Sequence, residues 1–406
     1  MKIRILLILS VVLLISGCVY QPVPSSPSST PQPVIASQTA APTTIVAPSE
    51  SPSAVSNPLS EITFKKGPYL VPGNDPGTMN ILWQAGDASR FQVEWGTDSN
   101  DSLEKVAPAS VTPDGLATAV LTGLQQGNHY FYRVTDGKSQ AVGSFNTPPA
   151  ASDQLTFWVY GDSRSGQEIQ NTITGDILAD IQSKPADQTF VLFTGDIMDE
   201  AVASNLQNDQ FDPQYASTRR LMSELPMVNA MGNHDGTQLF IKYFPYHFAG
   251  HFYWSFDYGP VHVAVIDQYA DVSENSPQWQ WLNQDLANSA QPWKFILLHE
   301  PGWSAGPHPN NEAVQKIIQN IAYHQHVAVI FAGHNHYYAR AQVDGVVHIT
   351  TGGGGAPLYD PEPNAPNVVV AKKEFHYLKV QISGSQLTIT ALMPDNQVID
   401  TFTLQH

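Results

Sequence analysis

The chain has 406 residues, of which 42% are hydrophobic and 14% are charged, and its formal net charge is −17. This length allows more than one domain, and the excess of acidic groups argues against binding nucleic acid through its phosphates, except as a substrate. Cys18 is the only cysteine, which excludes an intrachain disulfide and a zinc site built from several thiols.

The first 18 residues have the pattern of a targeting segment. Lys2 and Arg4 precede the apolar run ILLILSVVLLIS, which is too short to span a bilayer comfortably. The run ends in Leu-Ile-Ser-Gly-Cys18, which resembles a bacterial lipobox. We predict a lipoprotein signal peptide over 1–18, a lipid anchor on Cys18 and a place in the cell envelope, on the outer side of the cytoplasmic membrane or in the outer membrane. The alternative is an ordinary signal peptide with an incidental cysteine.

Residues 19–60 are rich in Pro, Ser, Thr, Ala and Val and have no hydrophobic period that could bury a core. Such a composition predicts a disordered, partly extended tether. Residues 62–149 instead contain short β-rich runs, such as FQVEWGT and HYFYRVTDG, separated by turn signals. Several short strands at this spacing predict a small β-sandwich that resembles a fibronectin type III domain, with Trp83 and Trp95 in its core.

From residue 152 to the end, strands and helices alternate. LTFWVYGD and VAVIFAGHNH read as strands, while Ile169, Ile173, Ile177 and Ile181 recur at helical spacing. This alternation predicts a layered α/β domain.

Polar residues follow five of the apolar runs. They are Gly161-Asp162, Gly195-Asp196, Gly232-Asn233-His234-Asp235, His299-Glu300 and Gly333-His334-Asn335-His336. Ligands bind at the carboxyl ends of strands in open α/β sheets, so the five segments should converge. Carboxylate, amide and imidazole groups bind Zn, Mn and Fe, and two such ions can clamp a phosphoryl group. A glycine precedes the polar group in four segments, and we expect it to let the backbone turn sharply.

Together these motifs, in this order, resemble the calcineurin-like metallophosphoesterase superfamily, and the preceding sandwich resembles its purple acid phosphatase branch. The resemblance implies a four-layer αββα fold and hydrolysis of phosphomonoesters by a metal-bound hydroxide. The Gly-rich segment 350–359 resembles a loop that borders the metal site in this superfamily.

The resemblance also implies a role for each residue. Two metal ions, of Fe, Zn or Mn, would share Asp196. Asp162 and His336 would hold the first ion, and the second ion would be held by Asn233, His299 and His334. His234 would protonate the leaving oxygen, and Asp235 would orient His234.

Two positions depart from the family pattern. The superfamily often has a metal-binding His where this chain has Arg164, and the purple branch has a tyrosine where this chain has Asp199. We expect Arg164 to bind the substrate phosphate, since a guanidinium suits that geometry. It could instead pair with Asp199 or face solvent, and Asp199 could itself bind the first metal.

Other functions remain open at this point. A phosphodiesterase or nucleotidase of the same fold would use the same motifs, and a non-catalytic surface lipoprotein could use the fold as a binding scaffold. The paired His234 and Asp235 favour an enzyme, because a scaffold needs no positioned acid. We expect structural roles for His247, His251 and His262.

Overall fold

The computed structural model describes residues 59–98, 103–150 and 152–406. The predicted signal peptide, Cys18 and nearly all of the predicted tether lie outside these residues. The first strand begins at Ser60, the last residue assigned to the tether. Among the described residues, no helix is both long and apolar enough to cross a membrane.

The N-terminal part of this region is a β-sandwich, as predicted. Its strands are β1 Ser60–Glu61, β2 Lys66–Pro72, β3 Thr78–Gln84, β4 Gln92–Gly96, β5 Lys105–Ala107, β6 Ala109–Val111, β7 Leu116–Thr122, β8 His129–Thr135 and β9 Ser139–Asn146. One sheet has the order β1-β9-β8-β4-β5 and the other β2-β3-β7-β6. Alternate residues of both sheets point inward, and Trp83 and Trp95 lie in the shared core.

The larger domain contains the remaining elements. Its first half comprises β10 Gln154–Tyr160, α1 Gln167–Ser183, β11 Val191–Phe193, α2 Ala203–Gln210, α3 Ala216–Glu224, β12 Met227–Asn229, α4 Thr237–Tyr243, β13 Trp254–Tyr258 and β14 Val261–Val265. Its second half comprises α5 Pro277–Asn288, β15 Trp293–Leu297, a π-helical turn Val314–Ile318, α6 Gln319–His324, β16 Val329–Ala332, β17 Tyr338–Val343, β18 Val346–Thr351, β19 Val368–Lys372, β20 Tyr377–Ser383, β21 Gln386–Leu392 and β22 Val398–Gln405.

These elements form two stacked sheets with helices outside them. The orders are β12-β11-β10-β20-β21-β22 and β13-β14-β15-β16-β18-β17-β19. Phe157 and Phe295 join the sheets edge to face, with ring centroids 5.5 Å apart. Helix α1 buries Ile173, Ile177 and Ile181 as its period predicted, and α5 and α6 cover the outer face of the second sheet. The predicted four-layer αββα fold is confirmed.

The topology brings the predicted polar segments to one rim. Strands β10, β11 and β12 are parallel neighbours, and so are β15 and β16 in the other sheet. The two sheets meet at their carboxyl ends, where the backbone N–H of His334 donates to the Asp162 carboxylate at 3.0 Å. All five segments therefore reach a common site.

Three further histidines, for which we expect structural roles, belong to neither set of predicted ligands, and two of them have hydrogen-bond partners. His262 lies between the carboxylates of Asp257 and Asp285, at 2.7 and 2.9 Å. Burial alone would lower the pKa of His262, but the hydrogen bonds to these two carboxylates raise it to about 9. His247 contacts the carbonyl oxygen of Ser255 at 3.0 Å, and the mostly exposed His251 lies 3.6 Å from a carboxylate oxygen of Asp267.

Candidate metal centre

Three of the predicted ligands have left-handed backbones. Asp162, Asp196 and His334 have φ values of 55°, 57° and 66°, and each lies one or a few residues beyond the end of a strand. Asp and His are among the residues that tolerate this region, although it remains costly for any side chain. Such a cost is common at functional sites, where the surrounding structure maintains it. The same local turn therefore redirects the chain at three strand ends.

The preceding glycines provide space, which differs from the expected role in turning. Of the four, Gly195 alone has a positive φ. A Cβ atom on Gly232 would lie 2.1 Å from Oδ1 of Asp196, and one on Gly333 would lie 2.1 Å from Oδ2 of Asp162. A side chain at either position would therefore displace a predicted ligand.

The predicted ligands of the second ion lie close to one another. The Asn233 side-chain oxygen is 3.0 Å from His299 Nε2 and 3.0 Å from His334 Nδ1. The two imidazole nitrogens are 3.2 Å apart, and Asp196 Oδ1 lies 3.4 Å from His299 Nε2. Four ligands about 2.1 Å from a tetrahedral metal ion would be roughly 3.4 Å from one another. We call these four residues the second cluster; the distances in these pairs fit neighbouring ligands of one metal ion.

The hydrogen bonds of the buried histidines direct one ring nitrogen of each toward the site. His299 donates from Nδ1 to the carbonyl oxygen of Thr194 at 2.7 Å, and His336 donates from Nδ1 to that of Pro357 at 2.9 Å. In each case this leaves Nε2 as the ring nitrogen that faces the site. Burial alone would lower the pKa of His299, but the charges of Asp196 and Asp162 raise it, so a metal ion would displace a proton from this ring. Burial and the neighbouring His299 and His308 lower the pKa of His334 to about 3. A neutral imidazole is the form that binds metals.

The first cluster consists of Asp162, Asp196 and His336. These side chains are buried, and one ligand atom from each lies within 4.8 Å of the others. The closest measured contact is 3.5 Å, between His336 Nε2 and Asp162 Oδ1. Asp196 belongs to both clusters, as expected of a shared ligand. The structure thus brings together all six predicted ligands, and their donor chemistry fits two ions.

Arg164 lies beside the clusters and pairs with two carboxylates. Its Nε donates to Asp196 Oδ2 at 3.2 Å, and a terminal nitrogen donates to Asp199 Oδ1 at 3.0 Å. The guanidinium is therefore engaged by two carboxylates, and the pairing with Asp199, considered above as an alternative, is the observed one. Asp199 does not belong to either cluster; its carboxylate accepts from Arg164 and from the hydroxyl of Ser165.

The hydrogen-bond partners of Asp235 are backbone groups, whereas its predicted role requires contact with His234. Its carboxylate accepts hydrogen bonds from the backbone N–H groups of Asp196, Ile197 and Gly232, at 2.7 to 3.0 Å. His234 instead directs Nδ1 to the carbonyl oxygen of Asp199, at 2.6 Å. Adjacent side chains on this turn point in different directions, so Asp235 fixes the strand-end loops and the carbonyl of Asp199 orients His234.

The sequence did not predict the contacts of several neighbours of the site. The ring of His308 lies over His334 with centroids 4.3 Å apart, and Tyr359 stacks on His336 at 4.4 Å. The side-chain oxygen of Gln268 accepts from the backbone N–H of His299 at 2.7 Å. Tyr359 ends the Gly-rich segment, whose position beside the site is as expected: the Ala356 N–H donates to the Asp162 carbonyl at 2.8 Å. Gln268 gave no signal in the sequence.

Comparison with known proteins agrees with this geometry. Residues 155–338 match the family described as calcineurin-like phosphoesterase, and residues 66–147 match the purple acid phosphatase N-terminal domain. The chain is 28% identical over 269 residues to purple acid phosphatase 22 of Arabidopsis thaliana, covering 57% of each chain. It is 24% identical to the phosphoenolpyruvate phosphatase of Allium cepa, covering 72% of this chain and 63% of that one. The chain thus spans about 60% of the length of these relatives.

A solved structure has the same fold. The purple acid phosphatase PPD1 from yellow lupin (Lupinus luteus) seeds superposes with a TM-score of 0.68 at 20% identity. The match covers 83% of this chain and 74% of that chain. It includes the sandwich as well as the four-layer domain, because neither part alone would account for such coverage.

The role of Asp235 can be tested by Asp235→Asn. The amide offers one acceptor oxygen, and its NH₂ group would face backbone donors. We expect a loss of roughly 1–3 kcal/mol in the free energy of unfolding of the metal-free protein and less bound metal, measured by urea unfolding and elemental analysis. Asp344→Asn, at an exposed turn, should change neither. Normal stability and metal content with reduced activity alone would show that Asp235 acts on His234 instead.

Proposed function

We propose that this chain is a calcineurin-like phosphoesterase with a purple acid phosphatase N-terminal domain. It hydrolyses phosphate esters with the help of two metal ions. The observation that carries the proposal is the pair of donor clusters sharing Asp196, with His234 hydrogen-bonded to the same carboxylate through its backbone N–H at 3.0 Å. When bound, the ions would neutralise the phosphoryl oxygens and acidify water for attack.

His234 is suited to protonate the leaving oxygen. A carbonyl oxygen can only accept, so the contact with Asp199 keeps a proton on Nδ1 in both charge states of the ring. Nε2 is then the atom that gains and releases the second proton. Among residues 59–98, 103–150 and 152–406, none forms a hydrogen bond with this nitrogen. The imidazole is partly exposed, which leaves room for a substrate.

The substrate would approach over the exposed side of the second cluster. Asn233 is exposed and His234 and His308 are partly exposed, whereas Asp162, Asp196, His299 and His336 are buried. His308 lies against His334 and can contact a phosphoryl oxygen there. The similar proteins named above are phosphatases, which favours phosphomonoesters over phosphodiesters or nucleotides for this chain.

The test of this function is hydrolysis of an aryl phosphate monoester and the corresponding diester by the metal-loaded protein. We expect cleavage of the monoester, and a loss of roughly 10²–10⁴-fold in kcat for His234→Ala, because a positioned acid contributes about that factor. The metal content of this variant should be normal. His324→Ala, at an exposed site on α6, is the matched control and should have normal activity.

Two outcomes would contradict the proposal. If the metal-loaded protein cleaves neither ester, the enzyme assignment fails and the binding-scaffold alternative gains support. If the protein cleaves the monoester but His234→Ala has no effect, the assignment of the acid is wrong while the function stands.

We also propose that the chain is held at a membrane surface by acylation of Cys18. Its support is the sequence alone: a basic start, an apolar run and small residues directly before the cysteine. The Pro/Ser/Thr-rich segment that follows would separate the enzyme from the membrane. Cys18→Ala should move the chain from the detergent-extracted membrane fraction to the soluble fraction of bacterial cells and abolish incorporation of labelled fatty acid. Unchanged labelling would contradict the anchor.

A further inference from the structure

The two donor clusters are unequal, and Arg164 lies at the weaker one. We propose that the guanidinium of Arg164 competes with a metal ion for the shared carboxylate of Asp196, so that the second cluster fills first and tightly and the first cluster fills weakly. This inference rests on the proposed function only in taking both clusters as metal sites. It assigns to Arg164 a role in metal occupancy; its role in binding phosphate stays a prediction.

The number of donors is the first observation. The second cluster has four donors, those of Asp196, Asn233, His299 and His334. The first cluster has three donors, those of Asp162, Asp196 and His336. Asp199, which stands where the purple branch has a tyrosine, is not a fourth donor because it pairs with Arg164. The first cluster therefore has fewer protein ligands to replace the water molecules that a metal ion loses on binding.

The partners of the two Asp196 oxygens are the second observation. Oδ1 faces His299 Nε2 at 3.4 Å and accepts from the His234 N–H at 3.0 Å. Oδ2 accepts from Nε of Arg164 at 3.2 Å. One oxygen thus faces a ligand of the second cluster, and the other already has a positive charge beside it. The charge of Arg164 also interacts with Asp162, so an ion entering the first cluster must share these carboxylates with the guanidinium.

The surroundings of Arg164 hold it in this place. Its side chain is only 15% exposed, and Asp199 holds its terminal nitrogen. The backbone N–H of Asp199 donates to the buried carboxylate of Asp209 at 3.0 Å, and Gln167 donates to the other oxygen of Asp209 at 2.6 Å. A chain of hydrogen bonds therefore positions the guanidinium, unlike an isolated surface ion pair.

The charge of Arg164 has two consequences. With no ion in the first cluster, it compensates part of the negative charge of the buried Asp196 and Asp162. With an ion present, it repels that ion at close range. Removing a unit charge a few ångströms from a metal site should strengthen binding by about tenfold or more.

The experiment is equilibrium dialysis of the metal-free full chain against increasing Mn²⁺, with bound metal measured by elemental analysis. We expect wild-type protein to bind Mn²⁺ in two steps. The second cluster fills in the first step, at least about tenfold more tightly than the first cluster, which fills in the second step. Arg164→Gln keeps a polar side chain without the charge, and should tighten the second step by about tenfold or more while leaving the first step unchanged. Arg164→Lys keeps the charge and should retain the weak second step.

Arg220→Gln provides the matched control, since Arg220 is an exposed arginine paired with Glu224 on α3, and its binding should equal that of the wild type. Circular dichroism and thermal unfolding establish that each variant is folded. The inference is overturned if both ions bind wild-type protein at the same concentration, if Arg164→Gln weakens or does not alter the second step, if the Lys and Gln variants behave alike, or if no Mn²⁺ binds.

These outcomes are independent of catalysis. Two-step binding that responds to the charge at position 164, in a protein that hydrolyses no ester, would leave the inference standing and refute the proposed function. Active protein that binds both ions equally would do the reverse.

Discussion

The buried carboxylate of Asp196 lies between the two donor clusters, and its negative charge must be compensated there. The arrangement of the residues around it follows from this constraint. A buried negative charge is tolerated only where other groups compensate it. The chain provides a guanidinium on one oxygen and a backbone N–H with a histidine on the other. Directly behind it, the charge of Asp235 is compensated differently, by several backbone N–H groups. One aspartate thus stays available to ligands, while its neighbour holds the backbone that carries it.

The fold places Asp196 in this position because several strands end at one rim. Parallel strands of two stacked sheets end there, and Asp162, Asp196 and His334 turn the chain with left-handed backbones. Glycines leave room for the ligand side chains to approach one another. The sheets are joined at the rim by hydrogen bonds that involve the ligands themselves, such as that from His299 to the Thr194 carbonyl. Stability of the rim and geometry of the site are therefore properties of the same contacts.

The sequence predicted the parts that depend on local pattern. The helical period of α1 and the alternating strands predicted a layered α/β domain, and the polar residues after the strands predicted that their segments converge. The resemblance to the calcineurin-like metallophosphoesterase superfamily implied the four-layer fold and the six ligands that the structure brings together. It could not predict which of several carboxylates a long side chain such as Arg164 would choose, because that depends on distances between separate loops. Nor could it reveal that Asp235 and His234, adjacent in sequence, face different partners. The contacts of Gln268 and His308 come from loops whose paths have no periodic signal.

We propose that Asp196 is a ligand shared by the two metal sites. Elemental analysis of Asp196→Ala beside His299→Ala, after equal loading and with folding established by circular dichroism, tests it most directly. His299 belongs to the second cluster alone, so its replacement should impair that site and spare the first. Replacing Asp196 should impair metal binding at both. If Asp196→Ala retains one tightly bound ion per chain, the two clusters are independent and Asp196 is not a shared ligand.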